Sequence, residues 1–482
     1  VEANQQRWSA GPSGPPAGDT AGRTGRPFEQ GFTNLDSEFL QLELPVEGRI
    51  PHWLSGRLFR NGPARFDLRG GGVSHWFDGL AMLHAFSVAR GRVSYSNRFL
   101  QTHTYRSARA RGAVTASAFA ADPCKSLFSR LVTVLLPYQM DNANVGIAQI
   151  AGRFVAMTET PMAIEFDPST LGTIGVFPFR DRVRGSLTTA HPLCDGGEWF
   201  SYLTRFGLPS RYQIVTLGER RRLVGSLPVA APAYMHSFAM TERHIVLAEF
   251  PFVLDPRGIL STEVPLIGLF RWRPERPTRF LVIDRATGAL VRTHEAPACF
   301  GFHHVNAYEG PEGLVLDVIV YPDPSVIDYL YLDAIKTAER FPSGELRRYV
   351  LPHGGGPVRA EPVSPLGIEL PRIDERRRCR RYRYVYGNGV TAGGDFLDQI
   401  VRVDTQRATA AAWSEPGCYP GEPVFVPDPA SRAEGEGVLL SIVLDSRAGA
   451  SFLLVLDATT LEERARARMS HHVPFGFHGL WA

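Results

Sequence analysis

Ile283-Asp284-Arg285-Ala286-Thr287-Gly288, followed by the apolar run Ala289-Leu290-Val291, is the stretch from which the fold is read. An apolar strand residue runs into an aspartate whose carboxylate can accept from its own turn's backbone. Glycine then supplies positive φ, and a second apolar run returns, which is hairpin chemistry. The same apolar-Asp-x-x-Thr pattern closes strands at Phe166-Asp167 to Thr170 and at Leu456-Asp457 to Thr460, with a degenerate copy at Val403-Asp404. Successive aspartates are 117, 120 and 53 residues apart, near multiples of roughly 55–60 residues. About seven such units fill the chain, which suggests a β-propeller with long inserted loops. Hairpins of this type also arise in other all-β chains, so the spacing alone leaves both architectures open.

Outward from these turns the texture stays β. Short runs at 92–95, 212–217, 245–252, 280–283 and 451–456 are rich in β-branched and aromatic residues, and amphipathic helices are few. The 482 residues are 44% hydrophobic, 11% aromatic and 21% charged, an ordinary globular balance. With 52 basic against 49 acidic residues the net charge is +3, which gives no reason to expect a nucleic-acid partner. Only Lys125 and Lys336 are lysine, an arginine bias typical of a GC-rich bacterial genome. Arg220-Arg221-Arg222 and Arg376 to Tyr384, where tyrosine alternates with arginine, read as solvated strand faces rather than RNA-binding patches. Five scattered cysteines, Cys124, Cys194, Cys299, Cys379 and Cys418, lack C-x-x-C spacing. They fit a reducing compartment and argue against a thiolate zinc site. No stretch reaches the roughly 18–20 apolar residues of a transmembrane helix. Residues 1–30, rich in Gly, Pro, Ala and Arg, are expected to be a disordered leader, with residues 31–482 forming a single domain.

Residues 122–136 combine an apolar run with cationic flanks, Lys125 and Arg130. As a helix they suit either a membrane interface or a buried core, and composition does not separate the two. Four of the 14 histidines, His191, His236, His303 and His478, lie within or beside apolar or aromatic segments, where an unpartnered imidazole is costly to bury. Their separations of 45, 67 and 175 residues exclude a local metal finger or an H-E-x-x-H helix. Each alone reads as a satisfied core histidine. In a propeller, inner strands from different blades converge on one axis, and such residues could then meet around one metal.

Ordered motifs from about residue 35 onward carry a resemblance. They are Gly56-Arg57-Leu58-Phe59-Arg60-Asn61-Gly62-Pro63, His75-Trp76-Phe77-Asp78-Gly79, Asp122-Pro123-Cys124-Lys125, Phe302-His303-His304-Val305-Asn306-Ala307, Gly367-Ile368-Glu369-Leu370-Pro371-Arg372 and Phe477-His478-Gly479-Leu480-Trp481. The chain resembles the carotenoid cleavage oxygenase family, and within it the animal-type branch of β-carotene oxygenases and the retinoid isomerase. The resemblance implies a seven-bladed β-propeller with a helical/loop cap over a metal-bearing axis. It implies Fe(II) held by His191, His236, His303 and His478, with His304 a bystander. It further implies that Glu159, Glu369 and Glu422 accept hydrogen bonds from His236, His303 and His478, leaving His191 without a carboxylate. Thr158 is implied near an open metal position. Neutral imidazoles suit iron(II), and four of them leave two octahedral positions for O2 or water. Three outer carboxylates would offset the metal charge and fix each ring's tautomer.

The expected activity is dioxygenase cleavage of one C=C bond in a carotenoid or apocarotenoid, β-carotene-like and giving retinal or apocarotenal products, with O2 as co-substrate. So apolar a substrate favours an enzyme docked on the bilayer. The resemblance therefore tips residues 127–136 toward a membrane interface, with Leu127, Phe128, Leu131, Val132 and Leu135 as contacts, and a second patch at 259–272. The expected location is cytoplasmic and peripherally membrane-bound. Among alternatives, a stilbene cleaver is disfavoured because no lysine precedes Asp141-Asn142-Ala143-Asn144. A retinoid isomerase fits poorly with the bacterial texture, and a non-catalytic carotenoid carrier has no need of the histidines.

Overall fold

Apart from a two-stranded sheet of Phe252–Leu254 and Phe270–Trp272, seven antiparallel sheets follow one another along the chain in a computed structural model that describes residues 25–69, 71–112, 141–254 and 267–482. Each is a meander of about four strands. The second blade runs Gly146–Ile150, Arg153–Met157, Ile164–Phe166 and Thr173–Val176, and the sixth runs Glu369–Arg372, Tyr384–Gly389, Gln399–Asp404 and Thr409–Ser414. The fold is a seven-bladed β-propeller. The ring closes twice. Gly479–Trp481 becomes the innermost strand of the first blade beside Gly56–Arg65, and Val46–Gly48 becomes the outermost strand of the seventh beside Glu463–Arg468.

The four aspartate turns occupy one equivalent place, joining the third strand to the fourth in the second, fourth, sixth and seventh blades. Asp167, Asp284, Asp404 and Asp457 each accept from two backbone N–H groups of their own turn, at 2.7–3.2 Å. The residue four places on has positive φ in all four: Leu171 56°, Gly288 69°, Ala408 51° and Leu461 62°. The degenerate copy at Asp404 is thus the same turn, and only one copy places glycine where φ demands it.

Strands expected at 92–95, 212–217, 280–283 and 451–456 fall inside Arg92–Phe99, Ser210–Leu217, Thr278–Asp284 and Ala450–Asp457, whereas the run at 245–252 is split between His244–Glu249 and the start of Phe252–Leu254 in another sheet. Two readings need correction. Pro27–Phe32 is a 3-10 helix with Phe28 and Phe32 buried against Phe396 and Trp76, so the part of the expected leader from Pro27 on belongs to the core. Residues 1–24 lie outside the described residues. The Arg/Tyr alternation is not a strand before Tyr384. Arg376, Arg377, Arg378, Arg380 and Arg383 instead each pair with a carboxylate, which explains the arginine density without a ligand.

Insertions gather at one end of the ring. The links between second and third strands are long in the first, fourth and fifth blades (66–79, 250–277 and 321–344). They emerge where the innermost strands begin. Among the described residues two α-helices lie in this loop cap, His103–Arg111 and Leu332–Thr337. The first is capped by Thr102, and Asp141 accepts from the otherwise orphaned N–H groups of His103 and Thr104. No helix among the described residues is long and apolar enough to cross a membrane. Leu127, Phe128, Leu131, Val132 and Leu135 lie outside the described residues, as do 259–266 of the second apolar patch.

Candidate metal centre

Every blade sends one polar side chain toward the axis. His478 precedes the innermost strand of the first blade and His236 and His303 those of the fourth and fifth, while His191 sits between two short inner strands of the third. Glu159 follows the second strand of the second blade, Glu369 opens the sixth, and Glu422 lies between the two inner strands of the seventh. Ring closure therefore brings together residues spread over more than 300 positions. Polar clasps fix the blades against each other close to these side chains. Thr189 donates to the His236 carbonyl at 2.6 Å, Ser237 donates to the Phe302 carbonyl at 2.7 Å, and Asn388 donates to the Pro420 carbonyl at 2.9 Å. The first two clasps adjoin His191, His236 and His303 and the third lies two residues from Glu422, and each limits how far one blade can slide relative to its neighbour.

The four imidazoles point one nitrogen each at a common place, all within 4.8 Å of one another. His191 Nε2 and His236 Nε2 are 2.9 Å apart, and His303 Nε2 and His478 Nε2 are 3.4 Å apart. The opposite ring atoms are committed. His236 Nδ1 donates to Glu159 at 2.5 Å, His303 Nδ1 to Glu369 at 2.6 Å and His478 Nδ1 to Glu422 at 2.7 Å. With hydrogen on Nδ1, each Nε2 carries a lone pair. Three such lone pairs and a fourth imidazole converging in a buried space repel each other unless a cation lies between them. Neighbouring ligands of an ion with metal–nitrogen bonds of ~2.1 Å lie about 3 Å apart in octahedral geometry, which matches the observed spacing. The donor set thus fits one divalent transition metal. Burial and the neighbouring histidines depress His191, and burial depresses His478 to about 4, so both rings are neutral and ligand-competent near neutral pH. Among the described residues no carboxylate pairs with His191.

The three carboxylates differ. Glu159 also accepts from Tyr234 at 2.8 Å, and Glu369 from Tyr321 at 2.9 Å and from the Leu370 N–H at 2.7 Å. Glu422 instead accepts from two arginines, the buried Arg60 at 2.5 Å and the partly buried Arg372 at 2.8 Å. Burial would raise the Glu422 carboxyl, but Arg372, His478 and Arg60 outweigh it and hold it far below the usual carboxylate range. Burial likewise opposes ionisation of Glu369, and His303 overcomes it. The expectation that three carboxylates offset the metal charge therefore needs correction, because two guanidinium groups cancel part of it. Arg60 and Arg372 lie inside two of the sequence motifs, and the sequence alone assigns them no role. Nothing local marks them: Arg60 shares its strand with Arg57, Asn61 and Arg65, and Arg372 shares its strand with Glu369.

Thr158 is half-buried beside Glu159. His304 is outside the metal set, and its Nδ1 lies 2.8 Å from Ser237 Oγ. Aromatic rings line the space. Phe77 lies parallel to His236 with centroids 6.5 Å apart, Phe302 meets His236 edge-on at 5.4 Å, and Phe477 meets Phe77 at 4.7 Å. Such walls exclude water and suit an apolar ligand.

Fold and centre together define a class: a propeller whose axis carries an all-imidazole metal site braced by carboxylates. The RPE65 family model, described as retinal pigment epithelial membrane protein, matches residues 32–482. The chain is 31% identical to human beta,beta-carotene 15,15'-dioxygenase, covering 93% of each chain. It is 32% identical to the carotenoid isomerooxygenase of Galleria mellonella, over 91% of this chain and 93% of that one. Rice carotenoid cleavage dioxygenase 8 homolog A is 32% identical, over 93% of this chain and 86% of that protein. A variant of Synechocystis apocarotenoid oxygenase superposes with a TM-score of 0.84 at 26% identity, covering 96% of this chain and all of that one. The cobalt-substituted form of that oxygenase superposes with a TM-score of 0.83 at 26% identity, over 95% and 98% of the two chains. This protein belongs to the carotenoid cleavage oxygenase (RPE65) family.

Proposed function

We propose that the protein is an Fe(II)-dependent dioxygenase that cleaves one C=C bond of a carotenoid or apocarotenoid polyene, β-carotene-like, to two carbonyl products such as retinal or an apocarotenal. The observation that carries this reading is the set of four converging imidazoles with no carboxylate among them. Bound iron(II) would supply open coordination positions for O2, with both oxygen atoms ending in the products. The chain's own residues do the rest. His191, His236, His303 and His478 hold the ion, and Glu159, Glu369 and Glu422 keep protons on Nδ1 so that each Nε2 stays a donor. Phe77, Phe302 and Phe477 keep water from the polyene, and Thr158 restricts where O2 sits.

A membrane surface is the natural source of so apolar a substrate, and we propose peripheral attachment from the cytoplasmic side. The apolar run with Leu127, Phe128, Leu131, Val132 and Leu135 supports it, as does Leu208, 95% exposed. Leu208 lies on the loop joining the second and third strands of the third blade, at the same end of the ring as the insertions. The test is to incubate iron-loaded protein under 18O2 with β-carotene, an apocarotenal and a hydroxystilbene, and to weigh the products. Labelled aldehydes from a polyene are expected. Cleavage of the stilbene alone would overturn the substrate class, and no cleavage of any of the three would overturn the activity.

A further inference from the structure

The carboxylate that braces His478 is held unlike the other two, and the difference falls at the seam where the ring closes. His478 directly precedes Gly479–Trp481, whose partners are Leu58 to Trp481, Phe59 to Leu480 and Arg60 to Gly479. Arg60 lies on the strand that receives this closing strand, Arg372 on the innermost strand of the sixth blade, and Glu422 on the seventh. Arg60 donates to Glu422 at 2.5 Å and to the Phe477 carbonyl at 2.9 Å. Arg372 donates to both Glu422 oxygens, at 2.8 and 3.2 Å, and to the Gly479 carbonyl. Glu422 in turn accepts from the Gly479 N–H at 2.9 Å. The two arginines thus grip the carboxylate and the backbone on either side of His478. Among the described residues neither Glu159 nor Glu369 pairs with an arginine.

We propose that Arg60 and Arg372 are positioning residues that couple metal binding to closure of the propeller, by holding Glu422, His478 and the closing strand in one polar clamp. The proposal rests on the reading that the four histidines bind a divalent ion. Any ion that needs His478 binds only the closed ring, so it stabilises closure, and closure raises its affinity by the same factor. Two effects of an arginine oppose each other here. As bare charges, Arg60 and Arg372 repel a dication, so removing one would tighten metal binding. As a clamp they keep His478 in reach, so removing one weakens it. The bidentate fork on Glu422 and the bonds to the Phe477 and Gly479 carbonyls make the second effect the larger.

The sign is therefore the test. Full-length protein freed of metal is titrated with Co(II), and backbone hydrogen exchange is followed at Gly479, Leu480 and Trp481 with and without the ion. Co(II) is expected to slow exchange at these amides in the wild type. Arg372→Met is expected to weaken Co(II) binding about 10–100-fold, the range for loss of a group that supports a metal ligand, and to speed exchange in the metal-free protein. Trp481→Ala leaves every charge in place but loosens the closing strand, whose indole covers Gly56. It is expected to weaken Co(II) binding several-fold, and it keeps the test open should Arg372→Met fold poorly. Equal or tighter Co(II) binding by both variants overturns the clamp, as does exchange at 479–481 indifferent to Co(II). A wild type that binds no Co(II) overturns the metal reading itself and this coupling with it.

Discussion

Replacing Glu369 and Glu422 by glutamine, one at a time, separates the two tasks a buried carboxylate performs here. Glu369 is buried with no arginine beside it among the described residues, so in the metal-free protein its charge is held by hydrogen bonds from His303, Tyr321 and the Leu370 N–H. Glu369→Gln keeps the shape and removes the charge. Its cost in metal-free stability is expected to be under about 1 kcal/mol, because an isosteric change that relieves a buried charge is near neutral. Glu422→Gln takes the counter-charge from the buried Arg60 and from the partly exposed Arg372. Removing one partner of a buried ion pair costs roughly 3–5 kcal/mol, so this variant unfolds at markedly lower urea.

Metal affinity follows a different rule. Both variants lose a carboxylate that holds hydrogen on Nδ1 of a ligand histidine, so both should bind Co(II) or Fe(II) about 10–100-fold more weakly, or about 1.4–2.7 kcal/mol. Glu369→Gln should therefore lose metal while keeping its fold, and Glu422→Gln should lose both. Urea unfolding of the metal-free proteins and Co(II) titration give the two quantities independently. Equal loss of stability in the two variants would refute the charge accounting, and unchanged affinity in Glu369→Gln would refute the role given to the Nδ1 bond.

His236→Ala is expected to abolish iron retention and polyene cleavage, whereas His304→Ala keeps metal; metal analysis and product assay read both, and turnover by an iron-free His236→Ala would refute the mechanism. His75 and His84 are buried neutral, each depressed to about 3 by desolvation. Their folded values lie below the unfolded value of ~6.5, so the unfolded state takes up protons first. Their contribution is complete above pH ~6.5 and falls as pH drops toward 3, by up to about 2.7 kcal/mol per unit for two groups; a urea midpoint flat from pH 6.5 to 5 would contradict this. Leu131→Glu with Leu135→Glu, and separately Leu208→Glu, should reduce co-sedimentation with anionic phospholipid vesicles several-fold; undiminished sedimentation in both would remove the membrane reading.

Much of the fold was legible because propeller hairpins reuse local chemistry. Asp167, Asp284 and Asp457 announce their turns through a carboxylate that bonds two or three residues ahead, a range a sequence window sees. Asp404 was legible only as a degenerate copy, since Ala408 adopts positive φ without glycine to mark it. The expected leader overruns the start of the domain because Phe28 owes its burial to Phe396, a partner far along the chain. The site was legible as a list of histidines and glutamates through motif resemblance, not through spacing. His303 and His478 are 175 residues apart, yet their Nε2 atoms lie 3.4 Å from each other. What no window could show is that seven blades present seven axial side chains, four imidazoles and three carboxylates. Nor could it show that, among the described residues, only the one of these three carboxylates at the closing seam carries arginines. That asymmetry follows from topology. Within the first blade the innermost strand Gly479–Trp481 and its neighbour Gly56–Arg65 come from opposite ends of the described domain, so no turn supplies the covalent tie that joins these two strands in the other blades. Multidentate hydrogen bonds from Arg60 and Arg372 are the means by which this chain restores it.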